Sequence, residues 1–203
     1  MNARPIGKRE HRLLQEAAHR EAGRGVASWR LLLKFKYITI SPYHESAPDH
    51  ILQEYPKWFR LDMEMTDRIR CAMERHIIAC YAGQFAQMKF RRQRPQLRMG
   101  SDTRLTAQMA SRICGCYQKT AAAYLRYCWL YAEDLVEEYW QPIELVAAAL
   151  EEYRTLSRYA VSQVIYRADV RDDKEQPWWV DRELLVEPEP HAVRLEQRSK
   201  RCV

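Results

Sequence analysis

Residues 105–126 read LTAQMASRICGCYQKTAAAYLR, and their side chains could recognise a nucleic acid duplex. Gln118 can make two hydrogen bonds to an adenine edge in the major groove. Lys119 and Arg126 can reach phosphates or guanine, Thr120 can bond a phosphate, and Ala122 is small enough to let a helix approach thymine methyl groups. Tyr117 opens the same polar face. Arg104 and Arg112 are candidates for clamping the phosphate backbone. Residues 89–104 carry Lys89, Arg91, Arg92, Arg94, Arg98 and Arg104 against one acid, Asp102. Each phosphate neutralised by such a run releases counterions and adds salt-sensitive affinity.

This chemistry requires a scaffold, and the pattern predicts a helix-turn-helix. Leu105, Met109 and Ile113 give a first helix its apolar face, and Ala110 permits a close helix crossing. Gly115 tolerates the positive φ that such a turn often needs. Cys114 makes the turn one residue longer than its tightest form, or lengthens the first helix. The second helix is anchored by Ala121 and Leu125, and it places Tyr117, Gln118, Lys119, Ala122 and Arg126 outward. A second helix of this kind lies in the major groove. A plain helical hairpin without DNA contact satisfies the same apolar spacing.

The rest of the chain must support that unit. Leu61, Met65, Ile69, Met73, Ile77 and Tyr81 recur about once per turn and predict a helix over residues 61–81, with Arg68, Arg70, Glu74 and Arg75 on its wet side. A rod over about 118–139 carries the stripe Ala121, Leu125, Cys128, Ala132 and Leu135. Pro142 suits the first turn of a further helix, whose inner face (Ile143, Val146, Ala147, Leu150, Tyr153) runs on toward Ile165. Residues 4–22 predict a thinly amphipathic basic helix ended by Gly23 and Gly25. Residues 29–40 alternate like a strand but also fit a short helix, and 41–56, with three prolines, read as a loop. The expected fold is mainly α-helical, with a helix-turn-helix and a small β element near the N-terminus. Residues 1–60 would form a basic arm and small subdomain, 61–166 the helical domain, and 167–203 a polar tail in which Trp178 and Trp179 could dock.

A net charge of +6 and a pI near 9.0 favour an anionic partner. No apolar run approaches the roughly 20 residues of a membrane span, and the basic N-terminus lacks the apolar core of a signal peptide. A cytoplasmic chain is therefore expected, with its six cysteines mostly reduced. Cys114, Cys116 and Cys128 could offer three thiolates to zinc, but a second close pair is missing, so no metal or other cofactor is expected. His76 lies near Glu74 in sequence but not on the same helical face, which favours packing over catalysis. With no phosphate-cradling glycine loop and no nucleophile elbow, an enzyme is not expected. Trp129, Tyr131, Tyr139 and Trp140 suit a core, an interface or, less readily, a stacking platform for single strands.

The helix at 61–81, the connector, and LTAQMASRICGCYQKTAAAYLRYCWLYAEDL together resemble region 4 of bacterial sigma factors, over about residues 61–136. In length, charge and motif placement the chain is similar to phage late-gene antitermination proteins of the Q type. The resemblance implies a protein that binds a DNA element near a late promoter, engages paused host RNA polymerase with or without its sigma factor, and makes it ignore terminators. It implies that Gln118, Lys119, Ala122 and Arg126 read DNA while Arg104 and Arg112 hold its backbone. Glu133, Asp134, Glu137, Glu138, Glu144, Glu151 and Glu152 form an acidic patch that could meet a basic polymerase surface or simply confer solubility. A helical phage assembly adaptor without sequence readout is the alternative expectation.

Overall fold

The computed structural model describes residues 7–41, 64–93 and 101–169. Six helices and two short strands follow in the order α1 (Lys8–Arg30), β1 (Tyr37–Thr39), α2 (Asp67–Phe90), α3 (Ser101–Ile113), α4 (Gln118–Glu138), α5 (Trp140–Tyr153), β2 (Thr155–Ser157) and α6 (Arg158–Asp169). The mainly α expectation holds, together with its small β element.

Helix α2 is the axis of the molecule. Thr66 caps it, its hydroxyl accepting from the Ile69 amide at 3.3 Å, and Asp67 complements the positive helix start. The predicted stripe is present, with Met73, Ile77 and Tyr81 essentially inaccessible and Met65 and Ile69 packed at its edge; Leu61 lies outside the described residues. The helix starts later than expected and runs nine residues further. From His76 to Phe85 almost every residue is buried, because α1, α3 and α4 all pack on α2. A one-stripe reading cannot anticipate a helix covered on several sides.

The largest correction concerns the N-terminal segment. Gly23 and Gly25 do not end α1, which continues to Arg30. They let it pack closely. A Cβ at Gly23 would stand 2.5 Å from the Ala86 Cβ and 2.8 Å from the Ala82 carbonyl oxygen of α2. Reciprocally, a Cβ at Gly83 would stand 2.8 Å from the Arg20 carbonyl oxygen. Two backbones thus approach where side chains are missing. Ala18, Ala22, Val26 and Ala27 of α1 are fully buried in the same core as α2, so residues 8–30 belong to the helical body rather than to a separate arm.

Beyond Arg30 the chain turns at Leu32 (φ 58°) and buries Leu33 and Phe35 before entering β1. Strand β1 pairs antiparallel with β2 in the register Tyr37↔Ser157, Ile38↔Leu156 and Thr39↔Thr155. Ile38 and Leu156 face the core, and the Thr39 and Thr155 hydroxyls meet at 2.7 Å. This pairing breaks the continuous helix expected from Pro142 toward Ile165. Arg154 adopts φ 63°, α5 stops, and its carbonyl accepts from the Ile40 amide at 2.9 Å and the Thr39 hydroxyl at 3.1 Å. Ile165 is buried as expected, but on a separate helix, α6. Arg167 belongs to α6 rather than to a tail; residues 1–6, 42–63, 94–100 and 170–203, including Trp178 and Trp179, lie outside the described residues.

Candidate nucleic-acid interface

Helix α3 ends in the hydrogen-bond pattern of a glycine-stopped helix. The Cys116 amide reaches back to the Ser111 carbonyl at 2.8 Å, and the Gly115 amide points to that of Arg112 at 3.5 Å. Gly115 (φ 61°) and Cys116 (φ 67°) both lie in the left-handed region, and Gly115 stands where glycine is preferred after a helix end. From the neighbouring helix, Arg70 donates to the Ile113 carbonyl at 3.2 Å, which satisfies one further carbonyl left open there. Arg70 was expected on the wet side of its helix. It is exposed as expected, and its guanidinium ties α2 to the end of α3.

Helix α4 starts after the four-residue link Cys114–Tyr117 and spans Gln118–Glu138, matching the expected rod. Met109, Ala110 and Ile113 of α3 and Ala121 and Cys128 of α4 are buried, with Leu105, Tyr124 and Leu125 packed against them. Trp129 is buried and meets Tyr81 edge-on at 5.2 Å and Phe85 at 4.2 Å, so it is a core residue. Glu74, expected on the wet side, is half-buried and accepts the Tyr124 hydroxyl, joining α2 to α4. Burial, then the Glu74 carboxylate, push the Tyr124 phenol up and keep it a donor.

Tyr117, Gln118, Lys119, Thr120, Ala122 and Arg126 are all exposed. Gln118, Ala122 and Arg126 lie on one row four residues apart, and Lys119 begins the adjacent row. Tyr117 is 72% exposed, and the first turn of α4 contains no acid. The other expected basic residues divide. Arg104 is exposed on α3, about 14 Å along that helix from its end. Arg112 is half-buried in the last turn, beside the link. Arg92 is exposed just beyond α2. Arg91 does not join this face: its guanidinium is paired with Glu16 of α1, which also meets Arg12 at 3.4 Å. The Arg91 hydrogen bond holds the Glu16 carboxyl below the ordinary carboxylate range against the opposing effect of burial. Arg94 and Arg98 lie outside the described residues.

Among the described residues no three of His, Cys, Asp and Glu are grouped to hold a metal ion. Cys116 is exposed on the link, Cys114 is half-buried, and Cys128 is on the inner face of α4. Burial, with the Glu74 carboxylate adding, pushes the Cys128 thiol up to about 12. A thiol reagent at about pH 8 should therefore modify exposed Cys71 and Cys116 at least about a hundredfold faster than Cys128. Peptide mass spectrometry after timed quenching checks this, and equal rates would show that the inner face of α4 opens readily.

An open depression of about 460 Å³ lies away from the α4 start, between Trp29 and Arg30 of α1 and Glu138 and Tyr139 at the α4–α5 junction. No described helix is long and apolar enough to cross a membrane. No protein-family model, curated protein sequence or solved structure matches the chain. The site therefore stands on its own geometry.

Proposed function

We propose that this chain is a DNA-binding regulator of transcription that places the start of α4 in a major groove. The observation that carries this reading is the division of α4: Gln118, Lys119, Thr120, Ala122 and Arg126 face outward while Ala121 and Cys128 anchor the helix inside. The acid-free first turn adds the positive end of the helix dipole where phosphates would lie. Gln118 reads a base edge, Ala122 permits close approach, and Lys119, Thr120, Arg126, Arg104 and Arg112 hold the backbone.

Binding to randomised duplexes over a salt series tests this. Gln118→Ala should relax base preference and cost about 1–3 kcal/mol at the preferred site. Lys119→Ala or Arg104→Ala should weaken all sequences alike and lower the salt slope by about one. Equal loss on every sequence from both kinds of change removes the readout role of Gln118.

The particular regulator we infer is a phage late-gene antiterminator, on the resemblance of residues 61–136 to sigma region 4. Its second partner would be host RNA polymerase. Exposed Glu137, Glu138, Glu144 and Glu152 on α4 and α5 offer acidic groups to a basic polymerase surface. Transcription through a terminator, with and without the protein, decides this finer reading.

A further inference from the structure

Past its first two turns, α4 exposes a different set of side chains. Tyr127, Leu130 and Tyr131 are 49%, 43% and 43% exposed, neighbours on one helix rather than scattered apolar residues. Tyr127 lies between the rings of Tyr124 and Tyr131, with centroids 6.2 and 6.3 Å away. Leu130 also has Arg126 four residues before it and Asp134 four residues after it, both exposed. These three share one row of the helix surface. Among the described residues neither Arg126 nor Asp134 makes an ion pair.

The order basic, apolar, acidic along one row is self-complementary under reversal. A second α4 running antiparallel and crossing at Leu130 sets leucine on leucine, Arg126 on the copy's Asp134, and Asp134 on the copy's Arg126. That reciprocity is what a two-fold axis requires of a shared patch. Rows of this spacing interdigitate at a crossing angle of about −50°, the commonest helix packing. We propose that the Arg126–Leu130–Asp134 row of α4 is a self-association surface on which a second copy of this chain packs antiparallel. Leucine, flanking tyrosine rings and two symmetric ion pairs hold the contact. An unrelated apolar helix would cover Leu130 and the tyrosines, but only the reversed row also matches both charges.

The proposal does not depend on DNA binding, but both draw on one row of α4: Gln118, Ala122 and Arg126 run on into Leu130 and Asp134, so Arg126 serves either a phosphate or the copy's Asp134. Gln118 is about 18 Å along the helix from Leu130, so a crossing of this angle carries the first turn of α4 clear of the copy. Arg126 borders both faces. One helix-on-helix contact falls at the small end of protein interfaces, so the association should depend on concentration.

Sedimentation equilibrium of the full chain, without nucleic acid, tests the proposal. The apparent mass should rise from 24.2 kDa toward twice that value with concentration. Leu130→Glu should weaken association at least about tenfold, and so should Arg126→Glu or Asp134→Arg alone, because each sets like charges opposite each other. The double swap Arg126→Glu with Asp134→Arg should restore association to within about threefold of the parent. All three positions are exposed, and circular dichroism verifies that each variant is folded. A chain that stays monomeric overturns the proposal, as does a dimer indifferent to Leu130→Glu or a double swap no better than the single changes. A monomer whose Tyr127→Ala variant loses affinity for oligothymidine also overturns it and makes the face a stacking platform. Gln118→Ala should leave sedimentation unchanged, so failure of the dimer and failure of base readout are separable.

Discussion

Gly23→Ala is expected to destabilise the protein by about 2–3 kcal/mol, the cost of overpacking a tight contact. Helix propensity alone predicts the opposite sign, since alanine exceeds glycine by about 1 kcal/mol inside a helix. Contact geometry decides. The new Cβ would lie 2.5 Å from the Ala86 Cβ and 2.8 Å from the Ala82 carbonyl oxygen, and the second of these is backbone that cannot rotate away. Relief requires α1 and α2 to separate at a contact where Ala82 and Ala86 are fully buried. Adding Ala86→Gly removes the closer clash but leaves the carbonyl, so the double variant should recover only part of the loss. Gly83→Ala, which meets the Arg20 carbonyl at 2.8 Å, should behave like Gly23→Ala. Urea unfolding with the slope held common gives these differences. A neutral or stabilising Gly23→Ala would mean that the two helices are not in this contact.

The same seam shows where the sequence was legible. Spacing located α2, the hairpin and α4 because each has at least one clear apolar period, and the turn chemistry of Gly115 is local. The outward set on the first half of α4 followed from phase alone. Gly23 and Gly25 carry the mark of a helix stop, yet α1 runs through both, because a glycine that stops a helix and one that admits a neighbouring helix look identical until the neighbour is known. The break after Tyr153 was invisible for a similar reason. Residues 155–157 form a strand only because residues 37–39, more than a hundred positions away, pair with them. In the candidate interface, Arg91 looked like part of a basic run, yet its partner is Glu16, which no local pattern indicates. The exposed ridge of Tyr127, Leu130 and Tyr131 also carries a sequence signal. Leu130 lies opposite the stripe Ala121, Cys128, Ala132 and Leu135, with Tyr127 and Tyr131 beside it, where a solvent-facing helix should be polar.

Lowering the pH from about 7 to about 5 should remove about 2 kcal/mol of stability through His76 alone. Its side chain is 7% exposed on α2, and burial first, then Arg24 of α1, lower its pKa from 6.5 to about 4. Arg24 also reaches the Cys80 sulfur at 3.8 Å, which holds the guanidinium in the same seam. The imidazole is therefore kept neutral in the folded chain. Between pH 6.5 and about 4 the unfolded chain binds a proton at this site and the folded chain does not, so stability falls as pH falls across that interval. Glu16 acts lower on the scale. Its depressed carboxyl contributes stability present above its ordinary value of 4.5 and lost as pH falls through the folded pKa. The interval above about pH 5 thus separates the effect of His76 from that of Glu16. His76→Leu, which replaces a buried neutral ring with a buried apolar group, should flatten the stability profile there whatever its effect on absolute stability. Urea titrations of both proteins at several pH values measure the slope. An unchanged slope in His76→Leu would place the acid sensitivity elsewhere and show that the α1–α2 seam admits a protonated imidazole at little cost.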